Sequence, residues 1–303
     1  MKYLRIHLAI LFMAVAVLVG LICWGPQVGR GQSPNPQKNS RVKPTVMITD
    51  SRAGSAAPNF ADAAVLNSTL QNDLTWIFGG KQQRGWYLYN LLIQQTIETE
   101  AQPESNSFAS ALSAWQKKTG LASNGVLDEE TLKALYFAWQ SNRLKDKTYA
   151  EPDQLLTAPP SDFYDPERLV ELRQVERNTY AAYKRMIAAA IADPTLKLAS
   201  KPNGELADGE RFFKIVSAFR SREYQERLRR ESPHAGSAGL AVNSPHFTGH
   251  ALDLYVGGDP VDTKDSNRAI QVNTPAYKWL VRNAARFGFR PYFYEPWHWE
   301  YVQ

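Results

Sequence analysis

Hydrophobic positions along the chain change rhythm repeatedly, and each rhythm predicts a different kind of structure. From Leu8 to Trp24 they run unbroken for 17 residues behind Lys2 and Arg5. That length falls between an export-signal core and a full membrane span, and a run with no polar face is a poor soluble helix. From residue 25 to residue 69 Pro, Gly, Ser and basic residues dominate, which is the composition of a disordered tether. Residues 70–140 then turn periodic. Phe108, Ala111, Leu112 and Trp115 fall on one helical face, Gly120 stops that helix, and Asp128 caps a second one carrying Leu132, Leu135 and Tyr136. With an upstream helix over Trp86 to Ile97 these make a small three-helix module. Residues 141–165 read as an interdomain linker with Pro152 and Pro159-Pro160.

In residues 166–303 the pattern mixes periods. A long amphipathic helix is expected from Pro166 to Ile191, a short strand over Lys214 to Phe219, a helix over Arg222 to Arg230, and a strand over Ala251 to Val256. A helix over Thr274 to Phe287 and a last strand over Trp297 to Val302 complete the set. Strands and helices without regular βαβ alternation indicate an α+β domain with a small antiparallel sheet flanked by helices.

Composition narrows the chemistry. Among 303 residues, 44% hydrophobic and 21% charged exclude global disorder, and 35 Lys+Arg against 30 Asp+Glu leave a formal +5. That charge falls far short of a nucleic-acid-binding stripe, so no nucleic acid is expected, and no protein partner is implied. The single cysteine, Cys23, lies in the apolar run, which excludes an intramolecular disulfide and a thiolate metal site. Any metal has to be held by His, Asp or Glu. The apolar run ends in Ile22-Cys23-Trp24-Gly25-Pro26 without an A-x-A cleavage site, so residues 1–24 are expected to persist as a membrane anchor, with a removed export signal as the alternative. Lys2 and Arg5 stay inside, which places the rest of the chain outside the cytoplasm, in the cell envelope.

Beyond the apolar end the histidines are His234, His246, His250 and His298, and the last three sit beside acidic and aromatic residues. In Ala251 to Val256 the alternation sets Asp253 opposite Leu252 and Leu254, while His246 must project from a preceding loop made by Pro245 and Gly249. The i, i+4 spacing of His246 and His250 is that of a zincin helix, but Pro245 and Gly249 break such a helix and no Glu follows His246. In Trp297 to Val302 the aromatics Trp297 and Trp299 belong to the core and His298 turns the other way, sharing a face with Glu300, a candidate to orient a ligand. Glu295 can approach His298 through a kink at Pro296. A carboxylate beside a metal-binding imidazole suits hydrolysis. His234 and His250, with little chemistry around them, read as structural.

Two resemblances rest on these residues. Phe108 to Leu135, with Ala114-Trp115-Gln116, Gly120-Leu121, Asn124-Gly125 and Thr131 to Leu135, resembles the second half of the peptidoglycan-binding type 1 domain, with Asn124 in place of the usual Asp. This implies glycan binding by the module. Ser244-x-His246-x-x-Gly249-x-Ala251-x-Asp253, followed by Glu295-x-Trp297-His298, is similar to the signature of the VanY-like D-alanyl-D-alanine carboxypeptidases, zinc peptidases of the M15 kind. Ser217 to Gln225 resembles the family's S-G-Y-R-S-x-x-x-Q segment, with Ala218 and Phe219 as departures.

The second resemblance implies that His246, Asp253 and His298 bind Zn²⁺, that Glu295 is general base and then acid, that Arg220 stabilises an oxyanion or holds a substrate carboxylate, and that Ser244 contacts substrate. The expected activity is removal of a terminal D-Ala from peptidoglycan stem peptides. The alternatives are an endopeptidase on stem peptides or cross-bridges, and a non-catalytic wall-binding protein with a vestigial zinc site. The S-x-x-K at Ser40 to Lys43 and the K-T-G at Lys118 to Gly120 are decoys for a serine mechanism, since no S-D-N lies between them.

Overall fold

The computed structural model describes residues 60–231 and 243–302. The expected anchor at 1–24, the tether up to residue 59 and His234 lie outside them. Among the described residues no helix is long and apolar enough to cross a membrane.

Helix α1 spans Ala61–Asp73, so residues 61–69 of the stretch expected to be tether are helical. Its buried face is Ala63, Ala64 and Asn67, while Val65 and Leu66 face outward. A face built of small and polar residues leaves no hydrophobic period to read. What docks it is a buried amide: Asn67 Nδ2 donates to Gly125 O at 2.9 Å and Asn67 Oδ1 accepts from Leu127 N–H at 2.8 Å. A hairpin of β1 (Thr75–Phe78) and β2 (Lys81–Arg84) follows, and then α2 (Asn90–Thr96), α3 (Asn106–Lys118) and α4 (Glu129–Ser141). Asp128 caps α4 as expected, accepting from Thr131 N–H, and Ser105 caps α3 by accepting from Phe108 N–H. The module is therefore more than the three helices expected.

The expected linker at 141–165 is ordered too. Strand β3 (Leu155–Thr157) pairs antiparallel with β4 (Gln174–Glu176), and Phe163 is buried and bridges to Ile215. Polar and proline-rich text masks these residues because Leu155, Ala158 and Phe163 point inward one at a time. The long helix expected from Pro166 starts later, as α5 (Arg177–Ile191). Its start is set by Glu176, whose carboxylate accepts from the N–H groups of Asn178 and Thr179.

Strands β5 (Ile215–Ser217), β6 (Ala251–Leu254), β7 (Phe289–Pro291) and β8 (His298–Tyr301) form one antiparallel sheet in the order β5-β6-β8-β7. Helix α6 (Arg222–Glu231) follows β5, and α7 (Asp265–Asn273) and α8 (Pro275–Asn283) connect β6 to β7. The sheet with its flanking helices is the expected α+β arrangement. All of β6 is buried, so Asp253 faces a covered side of the sheet rather than solvent.

The helical module and the sheet share one apolar core. Phe293 is its joint: Phe78, Tyr89 and Trp139 lie 4.8, 5.3 and 5.7 Å from it between ring centroids, and Tyr136 stacks on it at 5.8 Å.

Candidate metal centre

Register brings two of the site residues together before any side chain is considered. Asp253 on β6 is paired with His298 on β8 and with Ser217 on β5. His246 arrives from the single 3₁₀ turn Pro245–Thr248, not from an α-helix that could also carry His250, which disposes of the zincin reading. Ser244 Oγ accepts from His246 N–H at 3.3 Å and starts that turn. Gly249 ends it at φ +70°, where a Cβ would lie 3.0 Å from Glu176 and Leu155, so both conformation and space call for glycine.

Each imidazole is fixed by its outer nitrogen. His246 Nδ1 lies 2.7 Å from Ala218 O. A carbonyl can only accept, so Nδ1 carries the proton and Nε2 presents its lone pair inward. His298 Nε2 lies 3.2 Å from Glu300 Oε1, and its Nδ1 lies 2.9 Å from Asp253 Oδ1. His246 Nε2 is 3.3 Å from that same oxygen. One ligand atom from each of His246, Asp253 and His298 can be chosen so that all lie within 4.8 Å of one another, and all three residues are buried. Bonds of about 2.0–2.2 Å in a tetrahedron require neighbouring donors roughly 3.3 Å apart, so the donor set fits a zinc-sized ion with small adjustment.

The electrostatics say the same. Burial would raise the Asp253 carboxyl, but His246 and Arg220 outweigh it and hold the group well below the usual carboxylate range. Burial would lower His298, yet its hydrogen bonds to Asp253 and Glu300 raise it to about 9. Burial and the Arg220 charge pull His246 down to about 4. His246 stays neutral, whereas Asp253 stays ionised and His298 holds an extra proton, so the centre attracts positive charge there. Arg220 supplies part of it: Nη2 donates to Asp253 Oδ2 at 2.5 Å and lies 3.1 Å from His246 Nε2, while Nε donates to Ser217 Oγ at 2.9 Å and Nη1 to Gln225 Oε1 at 3.3 Å.

Glu295 sits on the turn that precedes β8. Its N–H donates to Tyr292 O at 3.0 Å, and His298 N–H donates to Glu295 O at 2.9 Å, which is the kink expected at Pro296. Arg268 secures the approach, with Nη1 donating to Tyr294 O at 3.1 Å and to Tyr89 O–H at 3.2 Å. Burial raises the Glu295 carboxyl to about 7, against the lowering effect of His298.

All six residues expected at the site are found around it, although Ser244 is buried and its hydroxyl serves the His246 turn. His250 stands apart, 2.8 Å from Thr179 Oγ1 and 3.3 Å from Glu176. Trp297 and Trp299 are core residues. Missed from sequence were the Ala218 carbonyl, to which sequence gives no clue, and Arg143 and Leu144, which hold Glu300 from within the expected linker.

A buried His-Asp-His donor set with a carboxylate of raised proton affinity beside it defines a metallohydrolase type of centre. Residues 173–303 match the family model for VanY, D-alanyl-D-alanine carboxypeptidase. The match covers the sheet and all six site residues and leaves out the helical module. The LdcB LD-carboxypeptidase structure, described for its peptidoglycan recognition, is 23% identical, with 52% of this chain and 71% of that one covered and a TM-score of 0.35. The zinc complex of a variant of VanY, a vancomycin-resistance D,D-pentapeptidase from a VanB-type cassette, is 19% identical, with 55% and 89% covered and a TM-score of 0.32. No curated protein matches the chain.

Proposed function

We propose that this chain is a zinc-dependent peptidase of peptidoglycan stem peptides, acting as a D-alanyl-D-alanine carboxypeptidase. The observation that carries the reading is the convergence of His246 Nε2, Asp253 and His298 Nδ1 beside a buried Glu295 whose carboxyl is raised to about 7. The VanY family match supplies the substrate class. Zinc held by His246, Asp253 and His298 would supply Lewis acidity, which activates water and polarises a carbonyl near neutral pH.

The chain's own groups do the rest. Glu295, as carboxylate, takes the proton of the attacking water and delivers it to the departing amine, work suited to a group titrating near the operating pH. A bound cation would lower the Glu295 pKa and keep it ready as a base. Arg220 presents a permanent charge to the reacting carbonyl oxygen or to the terminal carboxylate of the substrate, with its Nε and Nη1 already anchored. Ser244, the expected substrate contact, acts in this reading by holding the His246 turn. A wall-binding protein with a vestigial site would have no use for a buried carboxyl at Glu295, which favours catalysis. The same proposal places the domain outside the cytoplasm, on the strength of Lys2, Arg5 and the apolar run, and assigns the helical module to the wall.

Incubation of the zinc-loaded protein with a muropeptide ending in D-Ala-D-Ala, followed by mass analysis, tests the reading. Loss of a single alanine is expected. Larger fragments would make it an endopeptidase, and intact peptides would return it to the wall-binding alternative.

A further inference from the structure

The environment of His298 is completed by residues that lie outside the family match. Glu300 has no exposed side-chain surface. Its Oε1 faces His298 Nε2 at 3.2 Å and accepts from Arg143 Nε at 3.1 Å and from Arg143 Nη2. Its Oε2 accepts from Leu144 N–H at 2.9 Å. Arg143 itself is held on two sides: Nη1 donates to Gln140 Oε1 at 2.9 Å, near the end of α4, and the guanidinium lies over the Tyr292 ring, 3.9 Å from its centroid. Tyr292 N–H in turn donates to His298 O at 3.0 Å.

This arrangement is costly unless it does something. A carboxylate taken out of water needs compensating donors, and Arg143 brings a permanent charge and two donors in fixed geometry. With those and the Leu144 N–H in place, Glu300 has one torsional setting, and the oxygen it turns to His298 can only accept. Nε2 must then keep its proton, and Nδ1, which faces Asp253 Oδ1 at 2.9 Å, is the nitrogen whose proton a cation would replace. A flipped ring, or the other tautomer, would put a hydrogen where a ligand atom is needed.

We propose that Arg143, delivered by the end of the helical module, is a positioning residue for the metal ligand His298, acting through Glu300. The module is thus a working part of the centre whatever else it binds. The proposal rests on the reading of His246, Asp253 and His298 as a metal site.

The test uses the purified full-length protein in detergent, with zinc affinity measured by chelator competition, the visible spectrum of the Co²⁺-substituted protein as a report on ligand geometry, and melting of the metal-free form as a control for folding. Arg143→Ala should weaken zinc binding about 10–100-fold, the range for partners behind a metal-bound histidine, and should shift the Co²⁺ bands. Arg143→Lys, which keeps charge without the fork, should fall between the two. Arg84→Ala, at an exposed ion pair, should change neither. Unchanged zinc affinity and Co²⁺ bands in Arg143→Ala overturn the proposal. If that variant does not fold, the same unchanged result in Arg143→Lys overturns it. A wild-type protein that binds no zinc overturns instead the metal reading on which the proposal stands, and the two failures are told apart by that first measurement.

Discussion

Two buried polar clusters, one in the helical module and one on the sheet, are built on opposite principles. In the module, Gln116 Nε2 donates to Val126 O at 2.9 Å and to Thr131 Oγ1 at 3.0 Å, while its Oε1 accepts from Gly125 N–H at 2.8 Å. Asn67 likewise gives one bond and takes one. Donors meet acceptors, every group is neutral, and nothing further is wanted. On the sheet, potential ligand atoms of His246, Asp253 and His298 converge within 4.8 Å of one another, and their proton affinities are pushed far from ordinary behaviour. Buried polar groups that satisfy each other hold a fold together, whereas buried acceptors that converge call for a cation.

The sharpest way to break this contrast is to take the cation away. Dialysis of the active protein against a chelator should abolish turnover, and stoichiometric zinc should restore it. Melting temperature should fall in parallel, because an ion that binds the native state at about 1,000 times its Kd contributes roughly 4 kcal/mol. Peptide hydrolysis that survives metal removal would leave the acceptor cluster with no more function than the Gln116 one.

Glu295→Gln separates chemistry from binding. Loss of a positioned acid–base group costs about 10²–10⁴-fold in rate, so kcat should fall by that order while zinc content stays at the wild-type level. The same variant makes a stability prediction with a definite sign. The Glu295 carboxyl sits at about 7 in the fold against an ordinary 4.5, so between those values the unfolded chain releases a proton that the native state keeps. Native stability of the metal-free protein therefore drops as pH rises through that window. The penalty is complete above about pH 7, at roughly 3 kcal/mol. Denaturant titrations should show Glu295→Gln more stable than wild type at pH 8 and level with it at pH 4. An advantage that does not grow with pH would show that Glu295 is not held in a costly state.

How much of this was legible in the sequence follows from the same contrast. His246, Asp253, Glu295 and His298 stood out as histidines clustered with carboxylates, strand alternation already separated Asp253 and His298 from their apolar neighbours, and Arg220, like the role of each residue, was implied only by the resemblance to the VanY-like signature. Helices α3 and α4 were visible through Phe108, Leu112, Leu132 and Leu135. Helices α1 and α7 were not, because their buried faces are Ala63, Ala64 and Asn67 in one and Asn267, Arg268 and Gln271 in the other. A helix docked by hydrogen bonds leaves no hydrophobic period. Arg143 was hidden for a related reason: a basic residue in polar text reads as solvated until tertiary structure places a carboxylate against it.

The architectural cluster can be tested from its own side. Gln116→Leu keeps the approximate volume but removes the partner of Gly125 N–H and one partner of Val126 O. Leaving such groups buried and unsatisfied costs about 1–3 kcal/mol. Denaturant midpoints should shift accordingly, with zinc affinity and kcat unchanged.

The smallest effect is expected at the surface. Arg84 Nη2 lies 2.7 Å from Asp73 Oδ1, as short as many bonds in the core, but the two side chains are 74% and 53% exposed. Water and salt screen such a pair, and ordering both side chains offsets most of the attraction, so exposed ion pairs contribute about 0–1 kcal/mol. Arg84→Ala should therefore move the denaturant midpoint by less than Gln116→Leu does, and the difference from wild type should shrink further in about 1 M salt. A loss as large as that of Gln116→Leu would mean that distance, and not burial, decides what a polar contact is worth in this molecule.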